Sequence, residues 1–305
     1  MTATTSERPL CADESARRDE PLTATASRVE HWLLVEYGGY WPHEPLDAAV
    51  FAGGLRSHLE AQLARLPRSR LLLVKRLGPE GRLRRDRVRV TYGYTRERER
   101  RLFWLELDAH PDLLDLDVAA ALLDGAPHPG EPLEDPLLLV CTHGTRDRCC
   151  ARYGQALFRA AHRAEPGWSW QASHLGGDRF AGNLLALPEG LCFGRVSPAA
   201  FAALLRDYLA GRIELESYRG TSCYPMDVQA AELAVRRATG LTGFYDLRFA
   251  GREGGRVRLL AEVSGDLHEV EVVERRSETD ALLTCKAERP RRTRHFVARS
   301  QRVVS

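Results

Sequence analysis

The sequence predicts a mixed α/β (α+β) fold, and three observations lead to that prediction. Short apolar runs that end in polar loops alternate with amphipathic helical segments through most of the chain. With 305 residues and 44% hydrophobic content, the chain is long enough to bury a substantial core in two subdomains or one large elaborated domain. A stretch rich in proline and glycine, 126–132, is the clearest linker and separates an N-terminal portion from a central one.

The N-terminal portion, residues 20–125, is predicted to be an α/β subdomain. An amphipathic helix lies within 46–66, and strands are predicted at 29–36, 70–75, 87–94 and 101–107. Residues 1–19 are polar and charged and contain no apolar segment. They are therefore not a secretory signal, and we expect a flexible N-terminal lead-in.

The central portion, residues 134–222, begins with an apolar strand that ends at Cys141 and leads through a polar loop into a helix with an apolar stripe. A second strand, 168–173, ends at His174, and a hairpin is predicted over 183–196. A further helix begins at Ser197. The order is strand, helix, three strands, helix.

The C-terminal portion, residues 223–305, is predicted to be an α+β extension. It contains a helix over 227–239 that is ended by Gly240, followed by strand-like runs at 244–249, 256–263 and 267–273. The sequence does not reveal what the last residues, 289–305, contact.

Metal-ligating residues concentrate in the two loops that follow the central strands. Eight residues separate Cys141 from Cys150, which is too many for the two-residue knuckle of a zinc finger. We therefore expect the loop between them to wrap around a bound metal group. His174 and Asp178 have three residues between them in a glycine-rich loop. A cluster with two irons needs four protein ligands, and thiolate and imidazole are both documented choices. Two loops with two candidates each meet that requirement.

At these residues the chain resembles the sucrase/ferredoxin-like family, whose members carry a thioredoxin-like ferredoxin domain. The matching motifs are Cys-Thr-His-Gly-x-Arg-Asp-x-Cys-Cys at 141–150, His-x-Gly-Gly-x-x-Phe-Ala-x-Asn at 174–183, Arg-Gly at 219–220 and Gln-Ala-Ala-Glu at 229–232. The resemblance implies a thioredoxin-like ferredoxin domain over 134–222. It also implies a [2Fe–2S] cluster held by Cys141 and Cys150 from the first loop and by a second pair at the positions of His174 and Asp178.

The sequence departs from the fungal members at Asp178, because their second pair is two histidines. A carboxylate is a harder ligand than imidazole or thiolate, so Cys149, His143 and Cys192 stay open as alternatives for the fourth ligand. The alternative without a cluster is mononuclear zinc held by Cys141, by Cys149 or Cys150, and by His174.

The remaining cysteines carry no such signal. Cys149 and Cys150 are adjacent, so one is expected to be a ligand while the other packs against the helix. Cys11, Cys223 and Cys285 lie far from the motif and have no matching spacing, so we expect ordinary core residues there.

Together these features predict an iron–sulfur electron carrier, an electron-transfer protein more than a stand-alone enzyme. No Walker loop, dinucleotide fingerprint or nucleophile elbow occurs in the sequence, so a separate reductase is the expected redox partner. The alternative is a thiol-redox enzyme or zinc-binding protein of thioredoxin-like fold, with Cys149 or Cys150 reacting at the helix N-terminus. The sequence lacks the Cys-x-x-Cys that such chemistry normally uses.

Composition argues against other classes of protein. The net charge of +2 disfavours a general nucleic-acid or anionic-membrane binder. The sequence contains no apolar stretch of about eighteen residues, so no membrane span is expected. Seven cysteines, clustered and not spread as a disulfide framework, predict a reducing, cytoplasmic location.

Overall fold

The computed structural model describes residues 9–78, 81–83 and 87–304. Within these ranges the chain forms a ten-stranded mixed sheet and a four-stranded antiparallel sheet, with helices packed against them. The predicted α+β class is confirmed.

The helices and strands follow the predicted order closely. The helices are α1 (Cys11–Arg17), α2 (Gly54–Arg65), α3 (Val118–Leu123), α4 (Arg148–Ala164), α5 (Pro198–Leu209) and α6 (Met226–Thr239). The large sheet contains β1 (His31–Glu36), β2 (Ser69–Lys75), β3 (Val88–Thr95), β4 (Arg100–Leu107), β5 (Glu131–Pro132), β6 (Leu137–Cys141), β7 (Ser169–Ala172), β8 (Leu184–Leu187), β9 (Leu191–Phe193) and β10 (Tyr218–Thr221). The small sheet contains β11 (Leu247–Glu253), β12 (Arg256–Ala261), β13 (Leu267–Ala281) and β14 (Arg291–Val304).

The large sheet runs without interruption through the N-terminal and central portions. Its strand order is β10-β9-β8-β6-β7-β2-β1-β3-β4-β5. The pairs β1–β2 and β6–β7 are parallel, and the pairing of β2 with β7 joins the two portions. The predicted linker 126–132 includes β5, which pairs with β4 at the edge of the sheet. The predicted domain boundaries stay a prediction, since a shared sheet does not say which parts fold alone.

Strand β6 lies in the centre of the region that positions the candidate site. All five of its residues are buried, because the sheet is covered on both faces and a strand there carries a continuous apolar run. Since β6 and β7 are parallel, with Cys141 opposite Ala172, their carboxyl ends reach the same edge of the sheet. The loops that follow them therefore meet.

Two expectations about the chain ends need correction. Residues 1–19 were expected to be a flexible lead-in; residues 1–8 lie outside the described residues, but α1 follows them, with Cys11 fully buried. Helix α1 contacts the 3₁₀ turn Asp178–Phe180.

At the other end, β13 is longer than predicted, and the unpredicted β14 pairs with it along nearly its whole length. The outer halves of these strands, 274–281 and 291–295, consist almost entirely of charged and polar residues, so the alternation typical of a half-buried strand is absent.

Candidate metal centre

The four predicted ligands come from the two loops that follow β6 and β7. Cys141 is the last residue of β6, and Cys150 lies in the first turn of α4. His174 follows β7, and Asp178 begins the 3₁₀ turn Asp178–Phe180. Both cysteines and Asp178 are buried, whereas the His174 side chain is 20% exposed. The structure thus brings all four side chains to one place, with His174 towards the surface.

Helix α4 approaches the end of β6 unusually closely because it carries a glycine at the contact. A Cβ atom at Gly154 would overlap the carbonyl oxygen of Cys141 and lie 2.9 Å from its carbonyl carbon. Asp147 caps the helix, since its side chain accepts the backbone N–H of Cys149 at 2.8 Å. This capped and closely packed helix start holds the Cys150 thiol beside Cys141.

The second loop is shaped by a fully buried arginine. The guanidinium of Arg219 donates to the carbonyl oxygen of Gly176 at 2.9 Å and to Oδ1 of Asn183 at 2.8 Å. Asn183 in turn donates to the carbonyl oxygen of Gly177 at 2.9 Å. Gly176 and Gly177 have φ values of 91° and 81°, a region that favours glycine. Arg219, Asn183 and the two glycines of the motif therefore act as the frame that presents His174 and Asp178.

The potential ligand atoms are close together. The sulfurs of Cys141 and Cys150 and a ring nitrogen of His174 all lie within 4.8 Å of one another. The Cys150 thiol donates to Oδ1 of Asp178 at 3.3 Å. Nδ1 of His174 is buried and lies 3.0 Å from the same oxygen, yet it has no partner in hydrogen-bonding geometry. A ring nitrogen of His174 therefore lies close enough to both sulfurs to share a metal ion with them.

The four groups strongly perturb one another's protonation. The hydrogen bond from Cys150 lowers the pKa of Cys141 well below its ordinary value, against the effect of burial, and raises the pKa of Cys150 well above it. Burial opposes the charged form of His174, but Asp178 and the Cys141 thiolate outweigh it and raise the pKa of His174 to about 9. Burial opposes the charged form of Asp178, but the contacts with His174 and, after it, with Cys150 outweigh burial and lower the pKa of Asp178. The site therefore stabilises a Cys141 thiolate beside a protonated His174, and a soft cation that binds there takes the place of the imidazole proton.

Two of the alternative fourth ligands are occupied elsewhere. Nδ1 of His143 accepts the backbone N–H of His174 at 3.2 Å, which leaves the proton on Nε2 to be donated to the carbonyl oxygen of Pro42 at 2.8 Å. His143 is buried, and it supports the backbone next to the site. The thiol of Cys192 donates weakly to the carbonyl oxygen of Gly190 at 3.8 Å and is not in the ligand group.

The third alternative, Cys149, belongs to a second group that the sequence analysis missed. Cys11, Asp147, Cys149 and Cys285 bring four potential ligand atoms within 4.8 Å of one another, and all four residues are buried. Cys11 and Cys285 are buried core residues, as expected, and they also lie beside the carboxylate of Asp147. No spacing in the sequence links them, because the three segments meet only in the tertiary structure. Cys223 lies outside both groups and packs in the apolar core.

Fold and site together describe an α+β protein whose cysteine and histidine side chains gather at the ends of sheet strands, a class suited to metal binding. The sequence matches the sucrase/ferredoxin-like family over residues 22–220, and the chain belongs to that family.

A curated relative is "Altered inheritance of mitochondria protein 32" of Clavispora lusitaniae, 32% identical over 98 residues. The match covers 29% of this chain and 36% of the relative, so the chain spans well under two thirds of that protein. No solved structure matches. In the described part of the chain, no helix is both long and apolar enough to cross a membrane.

Proposed function

We propose that this protein is an electron carrier that binds a [2Fe–2S] cluster through Cys141, Cys150, His174 and Asp178. The observation that carries the proposal is the convergence of these four side chains from two loops, with Nδ1 of His174 buried among them and 3.0 Å from Oδ1 of Asp178. Two thiols and an imidazole fit a two-iron cluster, and the carboxylate of Asp178 completes the set.

Each part of the site has a separate task in this proposal. A bound cluster supplies one-electron chemistry. Cys141 and Cys150 hold its buried side, while His174, as the partly exposed ligand, marks the side nearest the surface. A neutral imidazole in place of a thiolate lowers the negative charge around the cluster, which raises the reduction potential above that of an all-cysteine site.

The order of elements in the central portion supports a thioredoxin-like ferredoxin domain. The sequence of elements is β6, α4, β7, β8, β9 and α5, and the strands lie in the order β7-β6-β8-β9. Electrons come from a separate reductase in this proposal, because the sequence contains no flavin or nicotinamide fingerprint.

A mononuclear zinc site is the second candidate, and one observation favours it. Three ligand atoms within 4.8 Å of one another are compact enough to surround a single ion, with Asp178 as the fourth ligand. The thiol-redox alternative gains no support, because Cys149 and Cys150 are both fully buried.

The test is the metal content of the full chain purified without oxygen. About two irons and two acid-labile sulfides per chain, with a visible band that bleaches on reduction, establish the cluster. Asp178→Ala is expected to lose the iron, whereas Asp178→His is expected to keep it because imidazole is the softer ligand. Cys192→Ser is the matched control, since that thiol lies outside the group, and it is expected to keep the spectrum.

A colourless protein with tightly bound zinc supports the second candidate and refutes the cluster. An Asp178→Ala variant with full iron content and an unchanged spectrum contradicts the assignment of the fourth ligand.

A further inference from the structure

We propose that Cys11, Cys149 and Cys285, with Asp147, form a second metal site that binds one Zn²⁺ ion. The three cysteines come from the first residue of α1, the first turn of α4 and the connection between β13 and β14. None of them takes part in the cluster proposed above.

The three sulfurs form a nearly equilateral triangle. The Sγ–Sγ distances are 3.5 Å from Cys11 to Cys149, 3.3 Å from Cys149 to Cys285 and 3.6 Å from Cys285 to Cys11. Three thiolates on a tetrahedral zinc ion, with Zn–S bonds of about 2.3 Å, lie about 3.8 Å apart. A small expansion of the triangle therefore accommodates the ion, whereas a disulfide joins only two of the three sulfurs and leaves the third in place.

The carboxylate of Asp147 makes this arrangement different from ordinary packing of thiols in an apolar core. Its oxygens lie 3.9 and 4.0 Å from Sγ of Cys11, and one of them lies within 4.8 Å of all three sulfurs. Asp147 is fully buried, and its two oxygens are held in place by the backbone N–H groups of Cys149 and Cys285. One of these oxygens completes a four-ligand set with the three sulfurs.

Backbone groups around the site fix its donors. Asp147 Oδ1 accepts the N–H of Cys149 at 2.8 Å, and Oδ2 accepts the N–H of Cys285 at 2.6 Å. The N–H of Ala12 points at Sγ of Cys149 from 3.4 Å. A carboxylate has about four lone-pair sites, so both oxygens keep a lone pair for a metal. N–H groups that hydrogen-bond to ligand atoms orient them and stabilise their charge, as expected around a thiolate-bound metal.

Zinc is the ion that this donor set favours. Soft thiolates select zinc, Cu(I) or iron–sulfur centres, and a compact tetrahedral arrangement of three sulfurs and one oxygen fits a single zinc ion. The ion joins α1 and the β13–β14 connection to the start of α4, the helix that carries Cys150. Its role is structural, because it holds α1 and the β13–β14 connection beside the first site.

The experiment measures zinc bound by the full chain in a Cys141→Ser background, which removes one ligand of the first group and separates the two sites. The chain is stripped with a chelator, returned to Zn²⁺ or to Co²⁺ as a coloured probe, and weighed by native mass spectrometry. We expect one ion per chain and, with cobalt, an intense thiolate-to-metal absorption. Adding Cys11→Ser or Cys285→Ser is expected to abolish both, whereas adding Cys223→Ser, a buried cysteine outside both groups, leaves them unchanged.

Three results overturn the proposal. One is equal zinc binding after Cys11→Ser and Cys285→Ser. Another is no bound ion in the Cys141→Ser chain although its circular dichroism is native. The last is a wild-type chain whose mass is two hydrogens lower than that of the fully reduced chain, because two of Cys11, Cys149 and Cys285 form a disulfide.

The intact mass is measured on the wild-type chain, so the disulfide result does not depend on whether a variant folds. The iron and sulfide content of the first site is a separate measurement, so either proposal can fail without the other.

Discussion

Replacing Gly154 by alanine tests whether the close packing of α4 on β6 positions the first site. A glycine-to-alanine change inside a helix normally stabilises it by about 1 kcal/mol. Here the new methyl group would overlap the carbonyl oxygen of Cys141 and lie 2.9 Å from its carbonyl carbon, where carbon atoms prefer about 3.5 to 4.0 Å. The helix and the strand must therefore separate by at least about 0.6 Å.

The free energy of unfolding is expected to fall because the new methyl group meets backbone atoms of Cys141. Overpacking of this kind costs about 1 to 3 kcal/mol, and the cost lies near the upper end because backbone atoms cannot turn aside as a side chain can. After subtraction of the helix propensity, we expect a net destabilisation of about 1 to 2 kcal/mol. Cys150 lies one turn before Gly154 on the same helix, so the thiol moves away from Cys141 and metal binding weakens as well.

The assay is urea unfolding followed by tryptophan fluorescence, together with metal content. Gly54→Ala is the matched control, because Gly54 begins α2 and a methyl group there meets nothing within 4 Å. That variant is expected to be as stable as the wild type or up to about 1 kcal/mol more stable. A Gly154→Ala chain that unfolds at higher urea and keeps its metal refutes the reasoning.

Two further predictions concern buried charged groups. Arg219→Met removes the donors to Gly176 and Asn183, so we expect a loss of roughly 2 to 4 kcal/mol in urea unfolding together with lower metal content, and Arg219→Lys should not restore either because it lacks the planar fork. Burial raises the pKa of Glu189, which accepts a hydrogen bond from Tyr208. The folded state then binds the proton more tightly than the unfolded state, so this group's contribution to stability falls as pH rises above the ordinary glutamate pKa of about 4.3. Glu189→Gln is therefore expected to raise the unfolding midpoint at pH 7 and to lose that advantage near pH 4; an equal shift at both values contradicts the assignment.

The first site was predictable because its signals are local. Cys141 ends an apolar strand, His174 follows the predicted strand 168–173, and the glycines at 176 and 177 predict a tight turn. In the structure the two strands pair in parallel, so the loops that follow them meet at the same edge of the sheet. The exposure of His174 relative to Cys141 and Cys150 depends on the surrounding layers and was visible only in the structure.

The second site was not predictable, because no local rule connects its members. Cys11 lies in a segment expected to be flexible, and Cys285 lies between two strands of which the second was not predicted. The partner strand β14 has few apolar residues, so its position depends on pairing with β13 and not on its own periodicity. The direction of the side chains of Cys149 and Cys150, one to each site, follows from the start of α4 at the capping residue Asp147.

The amino-acid sequence by itself determined the α+β class, the order of most helices and strands, and the family, because periodicity, capping residues, turn glycines and short motifs are features of neighbouring positions. It also predicted the four residues of the first group, whose side chains the structure brings together. The tertiary structure decided which cysteines share a site, which histidine supports the backbone and where the two chain ends pack. These depend on contacts between residues more than a hundred positions apart, whose closeness is set by the packing of the whole sheet.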